Sequence, residues 1–320
     1  SAPQLLNSSA PLPLSPSVPL HLNPSAPQPA TTSNEICLPD ECFTKDWFYR
    51  TIQWVVCGYA RFMHSYTMMG LENVRPGPGL VVGLHSSHSS DIAITAMSQQ
   101  QKTGRVVRAL IHEQSWWLRH YFLRLGAVCG TRSTAVQVCK MGHVAACIPG
   151  GVEEVMMHIS RNGAHAYDLC WRSYNGTLRR GFAHVALQMG SGFPIYPSFN
   201  ENAEEMRFNP FFEVWTGLRL DIAYGKLMRS APKPFRWAMW QLAFFAWISV
   251  CYLSVPIPVK VTGHVGQPVI VEAEDTVESL ALKVKNSMEN LIHEVCQERR
   301  SRSYIQGLRQ HLDYLLNPKP

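Results

Sequence analysis

The sequence has few charged residues, and it lacks the motifs that define several common protein classes. Only 16% of its 320 residues are charged, and the net charge of +6 comes without the basic runs of a nucleic-acid groove. Its nine cysteines are odd in number and include no CxxC pair, which disfavours a disulfide framework and a zinc ribbon. A Gly-x-Ser-x-Gly elbow, Rossmann and Walker glycine motifs and internal repeats are also missing, which disfavours a serine hydrolase and nucleotide-binding folds. We therefore expect a cytosol-facing protein with reduced thiols, whose basic excess suits an anionic membrane surface better than DNA.

Apolar residues make up 46% of the chain, enough for a substantial core, and their distribution divides the chain into segments. Residues 1–39 hold nine of the 22 prolines, which predicts a disordered tail rich in Pro and Ser. Aromatic residues mixed with Lys and Arg over 43–66 predict an amphipathic, membrane-proximal helix, with packing in the core as the alternative. We expect the main domain over 67–300 and a C-terminal tail over 301–320. The chain begins with Ser, so an upstream membrane anchor is compatible with it.

Short apolar runs alternate with helical stretches across the main domain, and this alternation predicts an α/β fold. The first run, Leu80–Leu84, is wholly apolar, as is typical of a strand buried on both faces of a parallel sheet. Helical spacing of apolar residues predicts a closing helix over Thr276–Arg300. Further strands are predicted at Val106–Ile111, His143–Ile148, Phe193–Pro197 and Val259–Thr262, and further helices from Ile92, Ser115, Thr134 and Gly181.

The stretch Trp237–Val259 contains no charged residue over 23 positions, which is long enough to cross a hydrocarbon layer about 30 Å thick. Polar residues and prolines dilute it. Three interpretations stay open: a spanning helix, an interfacial or re-entrant segment, and a core element that leads into the next strand. In each of the first two, residues 237–258 form an apolar, membrane-associated segment.

A dense polar cluster, running from His85 to Asp91, follows the first predicted strand. Catalytic groups of α/β folds lie at such junctions of strand and helix. The imidazole of His85 can take a proton from an attacking hydroxyl if a carboxylate such as Asp91 fixes its other ring nitrogen. His88 is an alternative base, and a polar helix cap at Ser89 or Ser90 is the structural alternative. A metal site at these histidines lacks a further ligand cluster of suitable spacing.

A second candidate loop, Ile148–Glu154, follows another apolar strand. Two glycines let a ligand approach the backbone closely and present amides to an oxygen. The structural alternative is a tight turn before an acidic helix start. Three more short motifs lie at Gly126–Arg132, Arg179–Phe182 and Phe193–Pro197.

The order of these motifs over residues 66–298 resembles the four blocks of the glycerolipid acyltransferase superfamily. Within it, the chain looks most like the branch that contains diacylglycerol acyltransferase type 2 and, closer still, transmembrane protein 68 and the plant phytyl ester synthases. Three features carry this resemblance: Pro-Gly-Gly-Val-x-Glu at 149–154, Arg-Arg-Gly-Phe-Ala-x-Val-Ala at 179–186, and six residues from His85 to Asp91.

The resemblance implies a single acyltransferase domain with a mixed sheet flanked by helices, associated with the endoplasmic reticulum membrane and facing the cytosol. Its expected reaction moves a fatty acyl group from acyl-CoA, or another lipid donor, to diacylglycerol or a similar neutral lipid alcohol, giving triacylglycerol. No cofactor is implied, because acyl-CoA is a co-substrate. Membrane lipids are expected partners, and nucleic acid is not.

Carried over onto matching positions, the resemblance implies that His85 is the general base, that Asp91 orients it and that Glu154 supports the site. His88 stays the alternative base. Backbone amides at the two glycines of the second loop, or a nearby arginine, would hold the oxyanion. Substrate binding is assigned to Arg132, Gly150, Gly151, Arg179 and Arg180.

The chain departs from the superfamily pattern at several positions. Cys129 stands where the second block has Phe, Ser86 follows the family histidine in place of Gly, and Glu153 stands where close relatives have Arg. Because arginines at these blocks bind the acceptor phosphate in phosphate-using members, a carboxylate at 153 favours a neutral acceptor. The alternatives are a lysophospholipid acyltransferase, which Arg132 supports, and a non-catalytic lipid-binding member of the fold.

Overall fold

The structure of the chain is a computed structural model that describes residues 40–112, 118–159, 166–172, 178–232, 234–239, 241–242, 253–297 and 303–317. The tail predicted over 1–39 lies outside the described residues, as do residues 240 and 243–252 of the apolar stretch 237–259. Among the helices that are described, none has both the length and the apolar character needed to cross a membrane.

Helices and strands alternate along the chain, as the sequence predicts. The helices are α1 (Asp40–Thr44), α2 (Trp47–His64), α3 (Ser90–Thr103), α4 (Arg119–Arg124), α5 (Arg132–Lys140), α6 (Gly151–Ile159), α7 (Gly181–Met189), α8 (Pro210–Gly217), α9 (Leu220–Ser230), α10 (Val277–Cys296) and α11 (Tyr304–Leu316). The strands are β1 (Thr67–Met69), β2 (Gly79–Gly83), β3 (Val107–Ile111), β4 (Val128–Cys129), β5 (Val144–Cys147), β6 (Pro194–Glu201), β7 (Arg207–Phe208), β8 (Val255–Pro256), β9 (Thr262–Val265) and β10 (Val269–Ile270).

The described strands form one mixed sheet in the order β1-β9-β6-β2-β5-β3-β4, with β10 also paired to β6 and a separate β7-β8 ribbon. The run from β6 through β2, β5 and β3 to β4 is parallel, whereas β9 and β10 pair with β6 in the antiparallel sense. The prediction of an α/β fold with a mixed sheet flanked by helices is confirmed. Because β6, β2 and β5 are parallel neighbours, the loops that follow them meet at one edge of the sheet.

The closing helix α10 packs on one face of this sheet, as its apolar spacing predicts. Its Leu280, Val284 and Met288 are fully buried in the same cluster as Leu80 and Ile195 of the central strands. A capping box begins the helix, in which the side chains of Thr276 and Ser279 bond each other's backbone N–H groups. Periodicity and the cap together explain why this element is predictable from the sequence alone.

The helix predicted over 43–66 is present as α2, and its two sides differ. Tyr49 and Cys57 are buried in a core cluster with residues of α3 and its neighbourhood. Trp47, Trp54 and Phe62 lie on the outside and keep 70%, 77% and 81% of their surface exposed. Core packing therefore accounts for the inward side of α2, and the outward side carries exposed aromatic residues.

Two sequence predictions near the C-terminus need correction. The strand expected at Val259–Thr262 forms later, as β9, and the buried Val259 instead packs against α11. The segment expected as a tail contains α11, whose Gly307 carbonyl accepts from Lys260 N at 3.1 Å. A Cβ at Gly307 would lie 2.9 Å from the Cβ of Val259, so only glycine permits this contact. Apolar burial at Val259 reflects helix docking and not strand pairing.

Candidate active site

Three loops converge at the edge of the sheet where β2, β5 and β6 end. The backbone N–H of His85, after β2, donates to Oε2 of Glu154 on α6 at 2.9 Å. The backbone N–H of Ser87 donates to Oε1 of Glu204, after β6, at 2.9 Å. The parallel order of the three strands brings these groups together although they are far apart in sequence.

His85 lies in this junction as a neutral imidazole. Its Nδ1 is 2.8 Å from the carbonyl oxygen of Ser86, and since a carbonyl only accepts, Nδ1 carries the proton. The lone pair of the neutral ring is then on Nε2. Burial lowers the pKa of His85, and the nearby carboxylate of Asp91 partly opposes this. A neutral ring with its lone pair on Nε2 is the state that a general base requires.

Asp91 lies in the first turn of α3 and is buried. Its Oδ1 accepts from the hydroxyl of Ser86, and its Oδ2 accepts from Nδ2 of Asn200 at 2.9 Å. Burial raises the pKa of Asp91, and these two hydrogen bonds lower it. Ser86 thus links the predicted pair, since its carbonyl holds His85 and its hydroxyl bonds Asp91. The sequence could not show this role, because it depends on where the fold places the carbonyl and the hydroxyl of Ser86.

Glu154 is fully buried and joins two segments of backbone. Its Oε2 accepts from His85 N, and its Oε1 accepts from Cys170 N at 2.9 Å. Burial raises the pKa of Glu154 to about 7, although His158 and the two backbone donors lower it. A carboxyl group that titrates near neutrality and holds the backbone of His85 fits the supporting role expected for Glu154.

Gly150 is required by the position of the Glu154 side chain. A Cβ at Gly150 would lie 2.1 Å from Cδ of Glu154, a distance that no real contact allows. We therefore expect Gly150→Ala to displace Glu154 from His85 and to lower both the thermal stability and the rate of catalysis at this site, the rate by about 10²-fold. Melting temperature and initial rate measure the two effects.

Gly58→Ala is the matched control for Gly150→Ala. Nothing lies within 4 Å of a Cβ at Gly58, which is inside α2, so the added methyl group is expected to stabilise the protein by about 0.5–1 kcal/mol. Equal effects of the two substitutions would contradict the assignment of Gly150.

The arginines expected to bind substrate have other contacts in the structure. Arg179 donates from Nη1 to the carbonyl oxygens of Pro149 at 2.9 Å and Gly150 at 2.6 Å, and so braces the second loop. Arg180 forms an ion pair with Glu278 at the start of α10. Arg132 is exposed in the first turn of α5. Its charge adds to the effect of burial in lowering the pKa of His184 on α7.

Three further predicted positions complete the set. Gly151 adopts φ +56° where α6 begins, a conformation that suits glycine. The buried ring of His88, the alternative base, stacks on Phe212 of α8 with 5.8 Å between ring centroids. The side chain of Glu153 lies outside the described part of the structure. Across the described residues, no group of three His, Cys, Asp or Glu side chains is arranged to hold a metal ion.

Sequence reasoning missed three buried polar residues of this site, namely His158, Asn200 and Glu204. Asn200 and Glu204 lie in the polar run Asn-Glu-Asn-Ala-Glu-Glu that ends β6, the same pattern that singled out His85 after β2. His158 stands one helical turn after Glu154 on α6. Both patterns were available in the sequence, but neither marks a site without its spatial neighbours.

The titration of His158 and Glu154 predicts that the folded state is less stable at alkaline pH. Burial lowers the pKa of His158, but Glu204 and Glu154 together outweigh it and raise the pKa to about 9 from an ordinary value of 6.5. The stabilisation by protonated His158 is therefore complete below pH 6.5 and lost as the pH rises through 9. Glu154, raised from 4.5 to about 7, acts in the same direction at lower pH.

The melting temperature is expected to fall as the pH rises through about 7, where Glu154 titrates, and again through about 9, where His158 titrates. Each fall corresponds to a loss on the order of 3 kcal/mol in the free energy of unfolding. His158→Gln should flatten the alkaline part of the curve. Because the cation of His158 lowers the pKa of Glu154, the same variant should also move the fall near neutrality to higher pH. A wild-type curve that rises between pH 7 and 9 would contradict this assignment.

The fold and this site define an α/β protein with a buried histidine and carboxylate centre at the ends of parallel strands. No protein-family model matches the chain. It is similar to proteins named "DGAT1/2-independent enzyme synthesizing storage lipids" from Homo sapiens, with 26% identity over 247 residues, and from Gallus gallus, with 25% identity over 238 residues. The matches cover 76% and 73% of this chain, which spans only 65% and 61% of the lengths of those relatives. The resemblance indicated by the motifs is confirmed by these matches.

Among solved structures, the chain is similar to the 1-acyl-sn-glycerophosphate (LPA) acyltransferase PlsC from Thermotoga maritima. The TM-score is 0.45 at 16% sequence identity, and the match covers 81% of this chain and 80% of the other.

Proposed function

We propose that this protein is a membrane-bound O-acyltransferase of storage-lipid synthesis. It transfers a fatty acyl group from acyl-CoA, or another lipid donor, to diacylglycerol or a similar neutral lipid alcohol, at the endoplasmic reticulum membrane and facing the cytosol. The observation that carries the proposal is the neutral His85 imidazole, whose Nδ1 bonds the Ser86 carbonyl and whose backbone N–H bonds the buried carboxyl group of Glu154. The buried carboxyl group of Asp91 bonds the hydroxyl of the same serine. The similarity to enzymes named for synthesizing storage lipids supports it.

The residues of the site support a direct transfer. Nε2 of His85 accepts the proton of the acceptor hydroxyl while its oxygen forms a bond to the thioester carbonyl carbon. The tetrahedral intermediate then expels the CoA thiolate, and the thiolate takes the proton back from the imidazolium. Asp91 stabilises that imidazolium by its charge, and backbone amides at Gly150 and Gly151, where α6 begins, are assigned to the oxyanion. No acyl-enzyme is required.

The charges near His85 favour an acceptor without a phosphate group. The side chains that bond the backbone of the His85–Ser87 turn are the carboxyl groups of Glu154 and Glu204. Arg179 is bonded to carbonyl oxygens of the second loop. A phosphate next to the base would meet negative groups in a site of low dielectric, which is unfavourable. A neutral alcohol such as diacylglycerol avoids this repulsion.

Exposed apolar side chains support an association with membranes. Helices of globular proteins seldom expose large apolar residues in groups, and such groups mark interaction surfaces. Side chains of this kind lie on α2, α8, α9 and α11 and, for Leu218, between α8 and α9: Trp47, Trp54, Phe62, Phe211, Val214, Leu218, Leu220, Ile222, Leu227, Ile305, Leu308, Leu312, Leu315 and Leu316.

The test is acyl transfer in microsomes from cells that lack endogenous triacylglycerol synthesis. Labelled acyl-CoA is supplied with diacylglycerol, lysophosphatidate or a long-chain alcohol. We expect labelled triacylglycerol from diacylglycerol. Product from lysophosphatidate alone would replace the proposal with a lysophospholipid acyltransferase. No product with any acceptor or donor lipid would favour a non-catalytic lipid-binding protein.

A further inference from the structure

A buried ion pair between His158 and Glu204 lies behind the turn that holds His85. Both side chains are almost fully buried, and Nδ1 of His158 is 3.3 Å from Oε1 of Glu204. The other ring nitrogen, Nε2, is 2.9 Å from the carbonyl oxygen of Asp168. Nε2 donates to this carbonyl, and the carboxylate of Glu204 beside Nδ1 raises the pKa of His158 to about 9, so that His158 is an imidazolium at neutral pH.

Glu204 connects this cation to the His85 turn. Its two carboxylate oxygens accept from the backbone N–H of Ser87 at 2.9 Å and from the Ser87 hydroxyl at 2.5 Å. Glu154, one helical turn before His158 on α6, accepts from the N–H of His85. Two carboxyl groups therefore bond the turn, one at the backbone of His85 and one at Ser87. His158 acts electrostatically on both carboxyl groups.

Such an arrangement is costly for stability alone. Each buried charge loses several kcal/mol of hydration, and a buried ion pair is often no more stabilising than apolar residues of the same shape. What the pair provides is geometry, because buried hydrogen bonds and a buried ion pair restrict the arrangement of the groups that form them. Here the members come from three loops, those after β2, β5 and β6, and the group they hold in common is the backbone that carries His85.

We propose that His158 and Glu204 are positioning residues, which hold the His85–Ser87 turn so that the imidazole meets the acceptor hydroxyl. This inference rests on the proposed function in so far as His85 is the base. It assigns no contact with substrate to either residue. His158 and Glu204 act through Ser87 and Glu154, and their loss misplaces a base that is still present.

The test compares kcat and KM of wild type, Glu204→Gln, His158→Gln and the double variant. Glutamine cannot accept from both donors of Ser87 through two oxygens, so the turn loses one bond. We expect kcat to fall by about 10²-fold, as a displacement of about 1 Å in a catalytic group does, with KM within about 3-fold. The double variant should be no slower than the slower single variant, because the pair acts as one unit. Independent, additive losses would overturn the proposal.

Glu205→Gln is the matched control. Glu205 is the next residue, is equally buried, and accepts from the hydroxyl of Tyr167 at 2.9 Å and from Ser303 N at 2.8 Å. We expect its kcat within about 3-fold of wild type. A loss equal to that of Glu204→Gln would show that any buried glutamate change has this effect, and would overturn the positioning role.

A second readout does not depend on activity. The groups that face His85 are Asp91 from α3, Glu154 and His158 from α6, and Glu204 after β6. The cation of His158 disfavours protonation of His85, so His158→Gln should move the NMR titration of the His85 ring to higher pH, and Glu205→Gln should leave it in place. An unmoved titration in His158→Gln would overturn the coupling. If His158→Gln shows this shift while the wild type transfers no acyl group, the proposed function is refuted and the positioning geometry is retained.

Discussion

Replacing His85 with alanine is expected to lower kcat for acyl transfer by about 10²–10⁴-fold, the range attributed to a positioned general base. The physical reason is the protonation state of the ring, whose Nδ1 is bonded to the Ser86 carbonyl and whose lone pair is on Nε2. Without it, the attacking hydroxyl meets no neutral imidazole nitrogen at this position to take its proton. The measurement is the initial rate with labelled acyl-CoA and diacylglycerol, at equal amounts of folded protein.

His88→Ala is the decisive comparison for His85→Ala. His88 lies in the same polar cluster and is also buried, but its ring stacks on Phe212. We expect His88→Ala to keep most of the transfer rate and to lose stability through the missing ring contact. A dead His88→Ala beside an active His85→Ala would move the base to His88 and refute the assignment made from the geometry.

Replacing Asp91 with asparagine is expected to lower kcat by about 10²-fold with little change in the fold. The carboxylate of Asp91 accepts from two donors, the Ser86 hydroxyl and Nδ2 of Asn200. The NH₂ group of an asparagine would point at one of these donors and lose that hydrogen bond. The substitution also removes a negative charge that stabilises the imidazolium of His85 in the transition state. Since that charge raises the pKa of His85, the acidic limb of the pH–rate profile should move to lower pH.

Asp275→Asn is a suitable control for Asp91→Asn. Asp275 also lies at a helix start with its side chain buried, where it pairs with Lys283 at 2.8 Å and accepts from Ser279 at 3.0 Å. We expect Asp275→Asn to reduce thermal stability and to leave kcat and the pH profile unchanged. A pH profile that moves equally in both variants, or an Asp91→Asn enzyme with the wild-type rate, would refute a role for Asp91 at the reacting centre.

Elements with a regular apolar pattern and a cap are those that the sequence predicts correctly. The helix α10 shows this, since Leu280, Val284 and Met288 repeat every four residues behind the cap at Thr276. The strand β2 is equally evident as a short apolar run that ends before a histidine. Patterns fail where burial comes from a distant partner. Val259 was predicted as part of a strand because it is apolar, yet it is buried among Ala60 of α2, Ile94 of α3 and their neighbours, and it also contacts α11. The polar composition of 301–320 conceals that last helix.

In the candidate site, too, local features could be predicted from the sequence and contacts between distant residues could not. The sequence by itself determined that polar and glycine-rich loops follow buried strands at His85 and Gly150, because strand periodicity and composition are local properties of the chain. The spacing of the motif also predicted Asp91 as the carboxylate that fixes a ring nitrogen of His85. In the structure that nitrogen bonds the Ser86 carbonyl instead, and Asp91 acts on His85 through its charge. Only the tertiary structure decided that Ser86 links them, and that Arg180 faces α10.

The hydrogen bonds from the His85 turn to Glu154 and Glu204 could likewise be found only in the tertiary structure. The hydrogen bond from His85 to Glu154 spans 69 positions of the chain, and that from Ser87 to Glu204 spans 117. Such contacts depend on the order of β6, β2 and β5 in the sheet, which no local pattern encodes. The residue types that carry the chemistry can be recognised along the chain, but their arrangement around one imidazole exists only once parallel strands bring three loop ends to one edge.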